Sequence, residues 1–347
     1  MKASNITKYS SISLQDEIRT PTVSVIIPTY NRFSFIGQAI ASVLSQSFMD
    51  FEIIVIDDGS TDDTELVVRE ITDPRLVYIR QENRGRSHAR NFALFLARGR
   101  YIAFLDSDDL YLPNKLSLQV NYLNSHPNVD MLYTSAYCID AVGNELDVNY
   151  IASVSGRIYK SIAFFCPVTI TLPTVMVRRE IFSAVGGFDE KMDRFEDTDM
   201  WRRISKVAYI EALPEFTCKL RTHSDNILGA QNPDQIMASL DYYAKKIIDE
   251  DKKMGYLVLR KGLGGLYLYY GLAFLTNSVW KEHGRILLDK AYKYWPFYSI
   301  RFASFGIVPF GFVSFRNVVM HFLDLLYRRY CKLRTAIRIA VKFFRKL

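Results

Sequence analysis

The sequence predicts an α/β protein: a mostly parallel sheet flanked by helices, with a helical C-terminal extension. Three observations carry this. Over the first 125 residues, apolar runs of strand length alternate with stretches of helical spacing. The strand runs are apolar throughout, as in parallel strands buried on both faces. Three of them end in polar clusters, at 28–32, 57–60 and 106–109. In an open α/β sheet such ends line one edge, and ligands bind there.

The elements follow in order. Residues 1–20 are polar and mixed in charge, and read as a flexible leader without the apolar core of a signal peptide. Thr22 to Ile27 is a strand ending at Pro28-Thr29-Tyr30-Asn31-Arg32. Ser34 can cap a helix whose apolar positions, Ile36, Ala39, Ile40, Val43 and Leu44, fall on one face. Phe51 to Ile56 is a second strand, ending at Asp57-Asp58-Gly59-Ser60, and Thr61 with Asp62, Asp63 and Glu65 suits a helix start. Leu76 to Ile79 is a third strand. Ala89, Phe92, Ala93, Leu96 and Ala97 repeat the helical stripe, with Gly99 placed to end it. Tyr101 to Leu105 is the fourth strand, and Pro113 suits the first turn of a helix carrying Leu116, Val120 and Leu123.

Beyond 125 the pattern loosens. Val129 to Ile139 and Thr174 to Arg178 read as strands, with a Gly143-Asn144 turn between them. Gly186-Gly187-Phe188-Asp189 is a turn, Glu196 to Arg203 opens a helix, and a strand near Tyr209 leads to Leu220-Arg221-Thr222-His223. From about 230 the chain becomes helical and rich in Tyr, Phe and Leu. Residues 262–280 carry no charge and are long enough to span a bilayer, but their glycines, tyrosines and Asn277 favour a buried helix. Residues 302–315 are also uncharged but contain Pro309.

Composition sets limits. At 347 residues, 49% hydrophobic and 14% aromatic, the chain can build two domains, or one with an appendage. Cys138, Cys166, Cys218 and Cys331 are scattered, which fits a reducing compartment and disfavours a zinc site or a disulfide scaffold. The net charge of +7 is a property of the tail: Tyr327 to Leu347 holds eight Lys or Arg and no acid. Without these eight, 36 basic residues face 37 acidic ones, so no nucleic-acid partner is implied. The tail interleaves its charges with Leu333, Ile337, Ile339, Val341, Phe343 and Phe344, the make-up of a helix for a membrane surface; the plainer reading is a solvated helix end.

The chemistry gathers at Asp106-Ser107-Asp108-Asp109. Three carboxylates within four residues repel one another unless a positive charge lies between them. A hard divalent cation, which takes oxygen ligands, fits best; capping of the next helix is the plain alternative. Arg84, Arg86 and Arg90 would be charge-assisted donors to a diphosphate, or belong to a solvated loop.

Five motifs in order closely resemble those of the family 2 glycosyltransferases. They are Val25-Ile26-Ile27-Pro28-Thr29-Tyr30-Asn31-Arg32; Val55-Ile56-Asp57-Asp58-Gly59-Ser60-Thr61-Asp62; Asn83-Arg84-Gly85 with Ala89-Arg90-Asn91; Asp106-Ser107-Asp108-Asp109; and Gly186-Gly187-Phe188-Asp189 followed by Glu196-Asp197. The resemblance covers residues 21–225 and leaves 226–347 as a helical region with the basic tail. It implies a GT-A type domain, a nucleotide-diphospho-sugar donor, Mn²⁺ or Mg²⁺, and inversion at the anomeric carbon. By position, Asp58 resembles the acid that recognises the base, with Asp57 beside it, and Pro28, Tyr30 and Arg32 lie on the nucleotide loop. Asp106 and Asp108 match the outer acids of a D-x-D motif, with Asp108 the direct metal ligand. Asp197 matches the general base, and Arg90 joins the donor-binding set. Arg221 and His223 sit where some relatives place phosphate or metal contacts, so His223 is a further metal candidate.

These readings imply an enzyme of cell-surface polysaccharide synthesis with a glycan or lipid-linked saccharide acceptor. It would be cytoplasmic or peripheral at the cytoplasmic membrane face. The alternatives are a sugar nucleotidyltransferase, which usually needs a Gly-rich loop where Pro28 to Arg32 stands, and a non-catalytic nucleotide-sugar-binding relative. No G-x-G-x-x-G follows a strand, which disfavours hydride transfer.

Overall fold

A computed structural model of the chain describes residues 20–164, 170–222 and 232–296. The described residues fall into two compact units that divide after Gly255.

The first unit is built on a nine-stranded sheet. Strands β1 (Val23–Thr29), β2 (Phe51–Asp57), β3 (Leu76–Arg80) and β4 (Tyr101–Phe104) are mutually parallel in the order β3-β2-β1-β4. Beyond β4 the sheet turns mixed. With β5 (Leu110–Tyr111), β6 (Met131–Ile139), β7 (Glu145–Tyr150), β8 (Val175–Arg178) and β9 (Ile210–Arg221) it continues as β4-β8-β6-β9-β5, and β7 pairs with β6. β8 runs antiparallel to both neighbours, whereas β6 and β9 are parallel.

Both faces of the parallel half are covered, and this is why its strands read as unbroken apolar runs. Val25 and Ile27 point into a layer with α1 (Ile36–Leu44), α2 (Thr64–Arg69) and α4 (Lys115–Ser125). Ile26 and Phe104 point the other way, toward α3 (Arg86–Leu96) and α7 (Glu196–Val207), with α5 (Tyr159–Ala163) and α6 (Glu180–Val185) completing that layer.

Three local expectations are corrected. Gly99 does not end α3, because Ala97 is already extended. A Cβ at Gly99 would lie 2.4 Å from the Ser24 backbone nitrogen, so the glycine serves the approach of the chain to β1. Ser34 does not cap α1; the Arg32 carbonyl accepts from the Phe35 and Ile36 amides and the turn runs into the helix. Pro113 precedes α4 by one residue more than the first turn allows, with Asn114 at the cap position.

Helix α8 (Pro233–Glu250) belongs to the first unit, past the boundary the sequence suggests at 225. The fully buried Arg202 on α7 reaches Asp199 at 2.8 Å, Glu250 at 2.5 Å and Asp251 at 2.7 Å, tying the end of α8 to α7. Lys246 adds pairs to Asp189 and Asp199 at 2.7 and 2.8 Å.

In the second unit, α9 (Tyr256–Leu275) packs on α10 (Lys281–Tyr294), and Gly271 lets the backbone at Gly284 come close. Among the described residues no helix is long and apolar enough to cross a membrane. The uncharged run from 262 breaks at Thr276-Asn277 into a short 3-10 turn, Ser278–Trp280. His223, the 302–315 run and the 327–347 tail lie outside the described residues.

Candidate active site

The three strand-end clusters meet along one edge, as the parallel register requires. Pro28 is tolerated in β1 for a local reason. Ile26 accepts a bond from the Leu105 amide, so alternate residues of β1 face β4, and β4 has ended where Pro28 would have needed its missing N–H. Asn31 sits in the left-handed region at φ 51, which asparagine tolerates. Its carboxamide oxygen accepts from the Thr61 amide at 2.8 Å, and its own amide donates to Ser60 Oγ at 2.9 Å. The ends of β1 and β2 are thereby stitched together, leaving Tyr30 exposed beside them.

Asp57 and Asp58 are both buried, and both carboxylates organise backbone. Asp57 accepts from the Ser60 amide at 2.8 Å and from the Tyr78 hydroxyl at 2.6 Å. Asp58 accepts from Gln81 Nε2 at 2.7 Å and from the Arg84 and Gly85 amides at 2.9 and 2.8 Å. It therefore holds the turn that opens α3, whose first turn contains no acid of its own.

At the end of β4 the three acids diverge. Asp106 accepts from Arg90 Nη2 at 2.9 Å. Asp108 faces Arg32 at 3.7 Å. Asp109 is buried and accepts from the Arg221 amide at 2.7 Å. Burial pushes the Asp106 carboxyl up, against the pull of Arg90, and burial with the charges of Asp108 and Asp106 pushes Asp109 well up. Arg221 braces this loop: its guanidinium donates to the carbonyls of Asp108 and Ala141 and to Gln38 Oε1.

Arg90 lies at the centre. It is buried on α3 and joins two elements that are far apart in sequence. One nitrogen donates to Asp106 and the other to Glu196 Oε1 at 2.8 Å, with the ring of Phe188 5.5 Å beneath. Its Nε is buried without a partner. Phe188 is itself fixed by Asn91, which accepts from its amide at 2.7 Å and donates to its carbonyl at 2.9 Å.

Glu196 and Asp197 open α7, directly after Phe195 at φ 65. A left-handed aromatic residue is strained, and such strain persists where the surroundings over-determine it. Asp197 is half-buried and accepts from the Thr198 amide at 2.6 Å. Burial and the adjacent Glu196 charge push its carboxyl up to about 6, against the pull of the Thr198 amide and Arg90. Glu196 goes the other way: burial raises it, but Arg86 and Arg90 outweigh this and hold it below the usual range.

The structure thus brings Asp106, Asp108, Arg32 and Arg90 to one edge, and Arg90 ties Glu196, next to Asp197, to it; Pro28 stands inside β1 rather than on the loop, where Tyr30 follows. Sequence reasoning placed Glu196 in a motif but gave it no role, and did not single out Gln81. A carboxylate at a helix start reads as a cap, and only the burial of its arginine partner, which comes from another element, separates the two roles.

Residues 24–186 match the family model described as glycosyl transferase family 2. An uncharacterized glycosyltransferase of Methanocaldococcus jannaschii is 33% identical over 244 residues, 68% of this chain and 82% of that protein. One from Rickettsia bellii is 39% identical over 210 residues, 60% of this chain but 30% of that protein, so the match spans under a third of that relative's length. The crystal structure of S. aureus TarS 1–349 in complex with UDP-GlcNAc shares the fold, with a TM-score of 0.58, 21% identity, and coverage of 78% of this chain and 79% of that one.

Proposed function

The chain belongs to glycosyl transferase family 2, and from that premise we propose that it inverts configuration while moving a sugar from a nucleoside-diphosphate donor to a hydroxyl of a glycan or lipid-linked saccharide. One observation carries the reading: Arg90 joins the acid cluster at the end of β4 to the acidic pair at the start of α7. A leaving-group side and a proton-accepting side therefore share one sheet edge.

The residues fit a divalent cation. Asp106 and Asp108 offer hard oxygen atoms, and the carboxyls around them are raised by burial and mutual repulsion, which a cation relieves. Two carboxylates with substrate phosphates completing the coordination is a usual arrangement for Mg²⁺. Bound there, Mn²⁺ or Mg²⁺ would offset charge on the departing diphosphate.

The chain's own residues do the rest. Asp197 accepts the proton of the acceptor hydroxyl as the new C1–oxygen bond forms and the C1–phosphate oxygen bond breaks on the opposite face. With its carboxyl near 6, it is ionised at neutral pH yet more basic than a free aspartate. Arg90 keeps Asp106 in place from beneath, and Asp58 orders the 81–85 loop against which a nucleotide base would lie. The UDP-GlcNAc found in the TarS complex supports a nucleotide-sugar donor. The basic, apolar-laced 327–347 segment supports a membrane-surface encounter at the cytoplasmic face.

A thermal-shift panel of nucleotide sugars with Mn²⁺ identifies the donor, because only a ligand of the folded state stabilises it. With that donor, Asp197→Asn is expected to lower transfer by about 10²–10⁴-fold while donor binding persists. Asp108→Ala should weaken metal-dependent binding. Wild-type turnover should rise with pH through about 6 and then level off, because the base must be ionised. Normal transfer by both variants would sink the assignment.

A further inference from the structure

Helix α8 begins beyond the 24–186 stretch that carries the family match, yet it grips the segment that leads to Asp197. Lys246 Nζ lies 2.7 Å from Asp189 Oδ2 and 2.8 Å from Asp199 Oδ2, so one ammonium joins the turn before α7 to the first turn of α7 itself. Tyr242, one turn earlier on α8, donates to the same Asp189 oxygen at 3.2 Å. Between these two anchors the ring of Tyr243 stands 6.1 Å from the ring of Phe195, and the Tyr243 hydroxyl donates to the Ala163 carbonyl of α5. Residues 189–199 are thus held by α8 at the start, near the middle and at the end. Glu196 and Asp197 lie inside that span, directly after the strained Phe195.

Lys246 is not needed to neutralise Asp199. Arg202 already meets one carboxylate oxygen at 2.8 Å and Arg203 the other at 2.8 Å. What Lys246 adds is the tie to Asp189. Nor does it hold the floor of the site, since Asn91 brackets Phe188, and Arg203 holds the carbonyls of Val185 and Gly187, without α8. The freedom that Lys246 removes is therefore that of residues 189–197. We propose that Lys246, supported by Tyr242, is a positioning residue for the proton acceptor: it fixes the path of the chain from Asp189 into α7, and so the place from which Asp197 meets the acceptor hydroxyl. This rests on the reading of Asp197 as the base. Arg90, Asp106 and Asp108 stand on α3 and after β4 and keep their own contacts, so loss of the tie should slow the chemical step and leave donor binding alone. A purely stabilising ion pair would lower the melting temperature and leave turnover of the folded enzyme unchanged.

The test uses the full chain in MnCl₂, with UDP-, GDP- and dTDP-sugars as donors and water as the acceptor, read as the nucleoside diphosphate released. With the donor that wild type consumes, Lys246→Met is expected to lower kcat by about 10- to 100-fold at unchanged donor KM, since a misplacement of about 1 Å suffices for such a loss. Lys246→Arg is expected to recover most of it, because a guanidinium can serve two carboxylates. Hydrogen exchange adds a readout independent of turnover: the amides of 190–197 are expected to exchange about tenfold faster in Lys246→Met, with those of 101–109 unchanged. Unchanged kcat in folded Lys246→Met, a donor KM that rises as kcat falls, or a loss that Lys246→Arg does not reduce overturns the proposal. If Lys246→Met fails to fold, Asp189→Asn decides by kcat, KM and exchange, since it removes the tie from a partly exposed carboxylate. Should no donor be consumed, exchange decides alone, and wild-type rates at 190–197 overturn the proposal. Undiminished release by Asp197→Asn would remove the reading of Asp197 as the base, whereas faster exchange of 190–197 in Lys246→Met would leave the tie standing, so the two failures are distinguishable.

Discussion

Lys115 is a full-length ammonium side chain with no exposed surface. It donates to Gln119 Oε1 at 2.6 Å and lies 4.8 Å over the ring of Tyr111, whose hydroxyl donates to the Phe104 carbonyl beside the acid cluster. Burial pushes its pKa down from a lysine's ordinary 10.5 to about 8. The unfolded chain therefore binds the proton more tightly than the folded one. The cost to folding is fully present below pH 8 and disappears as pH rises through 10.5. At 1.36 kcal/mol per pH unit it amounts to about 3 kcal/mol. Lys115→Met removes this dependence. The stability difference, Lys115→Met minus wild type, should fall by about 3 kcal/mol between pH 8 and 10.5 in urea melts; parallel curves across that window would refute the assignment. Nothing in the sequence marks Lys115 as buried, because a lysine at a helix start reads as a solvated face. Asp58 shows the same limit. An acid at a strand end was legible, but its grip on the Arg84 and Gly85 amides depends on a loop closure that spacing does not encode.

At the scale of elements, legibility followed the period of the pattern. Strands β1 to β4 and helices α1 and α3 were readable because both faces of the sheet are covered and the helices show a one-sided stripe. Strands β5 and β7 were not: β5 has two residues, and β7 is an exposed edge with no buried face to imprint a pattern. The turn at 186–188 was readable as a turn, but not as a keystone. Arg203 on α7 donates to the carbonyls of Val185 and Gly187 at 2.6 and 2.8 Å, while Asn91 on α3 brackets Phe188, the floor under Arg90. Gly187 is what makes this possible, since a Cβ there would lie 2.5 Å from Asn91 Oδ1. Gly187→Ala should therefore destabilise by about 1–3 kcal/mol through overpacking. Asn91→Ala removes the clashing atom, so the same alanine should cost less in that background. A double-mutant cycle in urea reads the coupling, and strict additivity would show that Asn91 and Gly187 do not bear on each other.

For the whole molecule, the first unit carries every described residue of the site, and its electrostatic frame closes only at the end of α8. Asp199 and Arg202 are fully buried, and Arg202 is neutralised in part by Glu250 and Asp251, with Lys206 also on Asp251. Cutting a buried ion network by removing one side leaves an uncompensated charge and costs about 3–5 kcal/mol. The boundary after 225, where the family resemblance stops, would make that cut, because the texture changes near 230 while the ion pairs that hold α8 to α7 leave no local trace in the sequence. Two truncations separate the boundaries. A chain ending at Gly255 should melt cooperatively near the wild-type temperature, whereas one ending at 225 should melt well below it or fail to fold. The same pair addresses the tail. If 327–347 meets a membrane surface, the chain ending at Gly255 should stay in the supernatant when the full chain sediments with phosphatidylglycerol vesicles at low salt, and that sedimentation should weaken as salt rises. Equal stability of the two truncations would refute the role given to α8. Sedimentation of the shorter chain would move the membrane contact from the tail to the first unit.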